Sequence, residues 1–136
     1  MAISTSLPIS LNQVETELGL SGTTSLLDCF ANANSYGFDA TYGTIDSDNL
    51  QAFRGYDDSI TLTGTSIGYS VSSAASACVA SSSTKYIDNG GTFNGCSRIY
   101  NDSAGTSKAS TGYYSNGSVS AFWNSTTEVL TGFPSC

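Results

Sequence analysis

The sequence predicts an α+β chain in two small parts, a short helical segment over residues 1–58 and a small antiparallel β module over 59–136 closed by a disulfide. Three observations lead there. Helical periodicity with Ser caps dominates before residue 57, and alternation with turn residues dominates after residue 60. The 136 residues suffice for one ordinary domain or two very small ones. Charge is scarce and unevenly placed: only 11% of residues are charged, eight of the eleven acids precede residue 59, and three of the four bases follow it.

The helical elements come first. Ser10-Leu-Asn-Gln13 has the form of a capping box, with Ser at the N-cap and Gln three residues on. Leu11, Val14 and Leu18 then follow at i, i+3 and i+7, Glu15 and Glu17 take the other face, and Gly19 sits where a C′ residue belongs. Ser25 caps a second candidate over 26–33, with Asp28 placed to favour the positive helix end. A third signal runs from Ser47 to Gly55. Ser47, Asp48 and Asn49 offer cap chemistry, and Leu50 and Phe53 share a face. Helices this short do not persist alone in water, so they must pack on one another or on a partner.

From Ser59 onward the pattern is β. Ile60-Thr-Leu62-Thr alternates, and Gly64 and Gly68 punctuate the next stretch. Residues 72–80, rich in small side chains, suit a short helix carrying Cys78 inward. Lys85-Tyr86-Ile87, Arg98-Ile99-Tyr100, Gly112-Tyr113-Tyr114, 118–123 and 128–133 are the strand candidates. Asp88-Asn89-Gly90-Gly91, Asn101-Asp102-Ser103 and the hairpin signal Asn116-Gly117 are the turns between them. Short strands with a turn every ten residues or so argue a small antiparallel sheet.

The cysteines are Cys29, Cys78, Cys96 and Cys136, and none forms a C-x-x-C pair. Four cysteines allow three pairings, and four reduced thiols are the alternative. The preferred pairing is Cys78–Cys136, which would close the C-terminal half on itself and tie down a fraying end. The first ten residues carry neither a basic stretch nor an apolar run of signal-peptide length, so Sec export is not expected. Asn101, Asn116 and Asn124 begin Asn-x-Ser/Thr triplets and are taken as turn residues, since Ser, Thr and Asn abound here.

Several function classes are excluded at once. The chain has no histidine, so it has no Ser-His-Asp or Cys-His arrangement and no imidazole metal ligand. Four bases in a chain of net charge −7 make no nucleic-acid footprint, and a membrane is not an expected partner. Disorder is excluded by 39% hydrophobic and 11% aromatic residues. The run Asp46-Ser-Asp48-Asn49 lacks the Gly and Glu of a calcium loop and is better read as helix capping. Asp57-Asp58 is read as a solvated linker. Asp88, Asp102 and Glu128 are the carboxylates of the β half, all at turns or strand starts, so no enzymatic activity and no cofactor are expected.

Two stretches carry a resemblance. Ile9-Ser-Leu-Asn-Gln-Val14-Glu-Thr-Glu-Leu18-Gly, with the later Asn49-Leu-Gln-Ala-Phe-Arg-Gly-Tyr56, resembles a short N-terminal module of virion structural proteins of tailed bacteriophages. This chain departs from the common form in having Arg54-Gly55-Tyr56 where Tyr-Gly-Lys is usual. The second stretch runs from Ala77-Cys78 through Lys85-Tyr86, Arg98-Ile99-Tyr100 and Gly112-Tyr113-Tyr114-Ser-Asn-Gly to Phe133-Pro-Ser-Cys136. It resembles a cysteine-bracketed β module of surface and virion-associated proteins of Bacteroidota and their phages.

The resemblance implies a phage particle component such as a head fibre, capsid decoration or neck/tail appendage. It would be made in the host cytoplasm and released by lysis, which brings its thiols into an oxidising setting without an export signal. Other virion proteins and further copies of the chain are the expected partners. Leu11, Val14, Leu18, Leu26, Phe30, Leu50 and Phe53 are the candidates for docking to a virion partner, because fewer than sixty residues bury little surface alone. The alternative function is a tip or adhesin module binding host surface glycans. Its candidates are Tyr113, Tyr114, Phe122 and Trp123, of which one in each adjacent pair must face outward.

Overall fold

The computed structural model describes residues 2–6, 8–21, 25–39 and 41–136. The fold is α+β, and the described residues form three short α-helices, α1 (Leu11–Glu17), α2 (Leu26–Asn32) and α3 (Ala74–Cys78). One antiparallel sheet contains β1 (Thr63–Ser70), β2 (Ser82–Ile87), β3 (Ile99–Tyr100), β4 (Gly112–Ser115), β5 (Ser120–Asn124) and β6 (Val129–Thr131), in the order β3-β2-β1-β4-β5-β6. The chain divides into two compact units at Ile60/Thr61, two residues beyond the junction read from composition.

In residues 1–60, reciprocal capping starts both helices. The Ser10 hydroxyl accepts from Gln13 N–H while Gln13 Oε1 accepts from Ser10 N–H at 2.7 Å, and Ser25 and Asp28 repeat the device. Gly19 follows α1 with φ +65, a left-handed conformation that costs glycine little. The expected helix over 47–55 is only a 3₁₀ turn, Leu50–Phe53. Its cap residue Asn49 makes no side-chain bond to it, and Ser47 Oγ instead accepts from Thr44 N–H. The chain cannot continue helically past Phe53, because it turns to meet the N-terminal segment. Gly55 N–H donates to Ile3 O, Ile3 N–H donates to Tyr56 O, and the Arg54 guanidinium donates twice to Thr5 O while lying over the Tyr42 ring.

The core of this unit gathers Ile3, Ile9, Val14, Cys29, Phe38, Ala52, Phe53 and Tyr56. Phe30, Phe38, Phe53 and Tyr56 form its aromatic centre, with ring centroids 4.6–5.9 Å apart. Asp57-Asp58 is not a solvated linker. Asp58 Oδ1 accepts from the Tyr56 hydroxyl at 2.7 Å and from Asn34 Nδ2, and Asp57 Oδ1 caps Ser59 N–H.

In residues 61–136 the expected strands and small-residue helix are present, with shifted ends. The first strand begins at Thr63 rather than Ile60. Ser73 caps α3 by accepting from Ser76 N–H. This helix lies on one face of the sheet, where Gly68 leaves room for it: a Cβ there would stand 2.6 Å from Ala77 O. The other face buries Ile67, Ile87, Ile99, Tyr114, Ala121 and Trp123 together with Phe93, Cys96 and Ala109. Residues 107–109 run beside β3, with Asn101 N–H donating to Ser107 O and Ala109 N–H to Ile99 O. They also meet β5, where Trp123 Nε1–H donates to Ala109 O at 2.9 Å. The sheet therefore curls around its core.

The disulfide is Cys78–Cys136, and Cys29 and Cys96 are buried free thiols. It joins α3 to a C-terminal segment that is itself bonded to the start of β5. Ser120 N–H donates to Pro134 O, and Cys136 N–H donates to Ser118 O.

Candidate functional site

Alternation and register sort the four aromatic candidates of β4 and β5. Tyr114 pairs with Ala121, and Gly112 pairs with Trp123, so Tyr114 and Trp123 share the core face. Tyr114 is 1% exposed, with its hydroxyl donating to Ser110 O at 2.8 Å and its ring 4.9 Å from that of Tyr69. Burial raises its pKa, with the Tyr69 hydroxyl adding to the shift. Trp123 is fully buried. Neither is an exposed binding residue, which corrects that part of the expectation. The curl decides it, because residues 109–110 cover these two rings and supply the carbonyls for their polar atoms.

Tyr113 and Phe122 are the outward members, on the face opposite the core, which α3 covers beside Gly68. They stand directly opposite one another, half-buried, with centroids 5.1 Å apart and planes at 61°. Register extends this pair into a rung across four strands. Ser70 of β1 opposes Tyr113, and Thr131 of β6 opposes Phe122. Asn124 and Val129 make the neighbouring pair on the same face. Ser70 Oγ accepts from Ser72 N–H, and Asn124 Oδ1 accepts from Thr126 and Thr127 N–H. No Asp, Glu, Lys or Arg occupies this face on any of the six strands.

The charges of residues 61–136 lie elsewhere and are engaged one by one. Asp88 accepts from Arg98 at 3.2 Å and from the N–H groups of Ser97 and Arg98. Lys108 pairs with Glu128 at 2.9 Å, and Lys85 Nζ donates to Asn101 Oδ1. Asp102 accepts from the N–H groups of Ala104, Thr106 and Ser107, which holds its carboxyl below the ordinary range. The three carboxylates of the β half thus serve turns and ion pairs. With three acids against three bases this unit is formally neutral, and residues 1–60, with eight acids against Arg54 alone, carry the whole −7.

All seven docking candidates pack into the core of residues 1–60. Val14 and Phe53 are fully buried, and Leu11, Leu18, Leu26, Phe30 and Leu50 are half-buried around them. They close their own core. The exposed large apolar side chain of this unit among the described residues is Leu27 of α2, at 78%. A shallow cleft lies between Ala2–Ser4 and the α1 residues Asn12, Gln13, Thr16 and Glu17.

Among the described residues no three His, Cys, Asp or Glu side chains converge as metal ligands, and no helix is long and apolar enough to cross a membrane. Comparison with protein-family models, curated proteins and solved structures finds no match.

Proposed function

We propose that this chain is a non-enzymatic accessory structural protein of a bacteriophage particle, attached through residues 1–60 and presenting residues 61–136 outward. The observation that carries the reading is the closed cysteine bracket Cys78–Cys136 around a formally neutral, Ser/Thr-rich unit. Such a disulfide persists outside a reducing cytoplasm, and release by lysis takes the chain there. The resemblance supports the same reading, and its motif residues hold defined structural positions. Ser10 caps α1, Val14 and Phe53 fill one core, and Tyr114 fills the other. Arg54-Gly55-Tyr56, where the chain departs from the common form, ties the N-terminal segment to the unit. Attachment would centre on the exposed side of α2 at Leu27, in several copies per particle.

The test is location. Antibodies raised against residues 61–136 should decorate intact particles in electron micrographs, and the chain should co-purify with particles through a density gradient. Leu27→Asp should lower its copy number several-fold. A chain found only in the soluble fraction of the lysate overturns the proposal.

A further inference from the structure

We propose that the outward rung Ser70–Tyr113–Phe122–Thr131 is a binding site for an uncharged saccharide. Adjacent strands stand about 4.8 Å apart, so four directly opposed side chains form one continuous row about three strand spacings long. Its middle is two aromatic rings in contact, 5.1 Å between centroids, and its ends are hydroxyls. That order suits a ring whose C–H face is apolar and whose rim is hydroxylated: the rings cover the C–H face and the ends meet the rim.

The polar groups of the row keep bonding capacity for such a rim. Ser70 Oγ accepts one bond and retains its proton as a donor. Asn124, its amide oxygen held by two backbone N–H groups, keeps both Nδ2 hydrogens as donors beside Phe122. The Thr131 hydroxyl reaches Phe122 O only at 3.4 Å, so a better acceptor can draw it away.

Charge selects the occupant. An acidic saccharide or a charged peptide laid on this face would meet no counter-ion, because none of the six strands places a charged side chain there. Leaving such a charge partly desolvated and unpaired is costly, and a neutral hydroxylated ligand avoids that cost. A protein partner is the poorer match: protein hot spots centre on anchors in well-packed, fully desolvated pockets, whereas these two rings lie side by side on a sheet face with hydroxyls, an amide and Val129 beside them. The site depends only on residues 61–136, so absence of the chain from particles would leave it untouched.

The experiment is a glycan array carrying neutral and acidic saccharides, probed with the full chain and three variants. The unaltered chain should be retained on neutral glycans. Tyr113→Ser and Phe122→Ser should lower retention at least tenfold, and Thr131→Val several-fold, with the fluorescence of buried Trp123 unchanged. If a serine variant shifts that fluorescence and so reports unfolding, Thr131→Val, which keeps the side-chain shape on an exposed strand, decides. Retention on acidic glycans alone, no retention on any neutral glycan, or equal retention of the chain and its folded variants overturns the proposal.

Discussion

Opening the Cys78–Cys136 bridge should destabilise one end of this chain and spare the other. The bridge spans 58 positions of sequence. Releasing a loop of that size restores roughly 14 cal/mol/K to the unfolded chain, or about 4 kcal/mol at room temperature. For a unit of this size that amounts to roughly 15–30 °C in Tm. The natural probe is Trp123, the single tryptophan, fully buried in the unit that contains the bridge. Urea unfolding followed by its fluorescence should be compared for the oxidised chain and Cys78→Ser/Cys136→Ser. The helical signal of residues 1–60 in far-UV dichroism should keep its midpoint. A loss below about 1 kcal/mol in the tryptophan transition would refute the loop-entropy reasoning. An equal shift of both signals would mean that the two units unfold together.

Three more outcomes follow from the packing. Trp123→Phe keeps a ring in the core but leaves Ala109 O without its donor, and should cost about 1–3 kcal/mol in urea unfolding followed by far-UV dichroism, since the variant lacks the fluorescent probe; a neutral result would mean the carbonyl finds water. Burial, with the Asp88 charge adding to it, pushes the Cys96 thiol up to about 12. Cys96 should therefore resist iodoacetamide in the native chain at pH 8, and ready labelling would refute its burial. Because the folded value lies above the ordinary 9.0, the associated stability is full below pH 9 and falls as pH rises toward 12. Of the three Asn-Gly pairs, Asn94-Gly95 should deamidate first on storage at pH 8, read by peptide mass mapping. Asn94 is exposed, whereas the Asn89 amide is bonded to two carbonyls and the Asn116 amide and Gly117 N–H are both engaged. Equal rates at all three would contradict that ranking.

Local chemistry was legible in the sequence where a reciprocal helix cap closes within four residues. Ser10 with Gln13, and Ser25 with Asp28, do so, and both helices start where their caps say. Alternation also showed that one aromatic in each adjacent pair must face out. Which one does was not legible, because residues 109–110 cover Tyr114 and Trp123 only after the sheet has curled. The same limit applies to Asp58, whose partners Asn34 and Tyr56 come together only in the folded unit. The stretch from Ser47 to Gly55 had adequate caps and spacing for a helix, and a distant strand-like contact with Ile3 cut it short. Residues 11–53 at helical spacing signalled burial correctly, but periodicity carries no mark of whether the covering surface is a partner or the chain itself.

The segregation of ionised groups has a practical corollary. Residues 61–136 hold three acids and three bases, each engaged within the unit, so contacts made there should vary little with ionic strength. Residues 1–60 carry the whole net −7, and any association through them with a basic surface should weaken steeply as salt rises. On an anion-exchange resin the chain would be gripped from its N-terminal side, with the β unit left free in the buffer. Salt concentration is therefore a handle that addresses one end of this molecule and not the other.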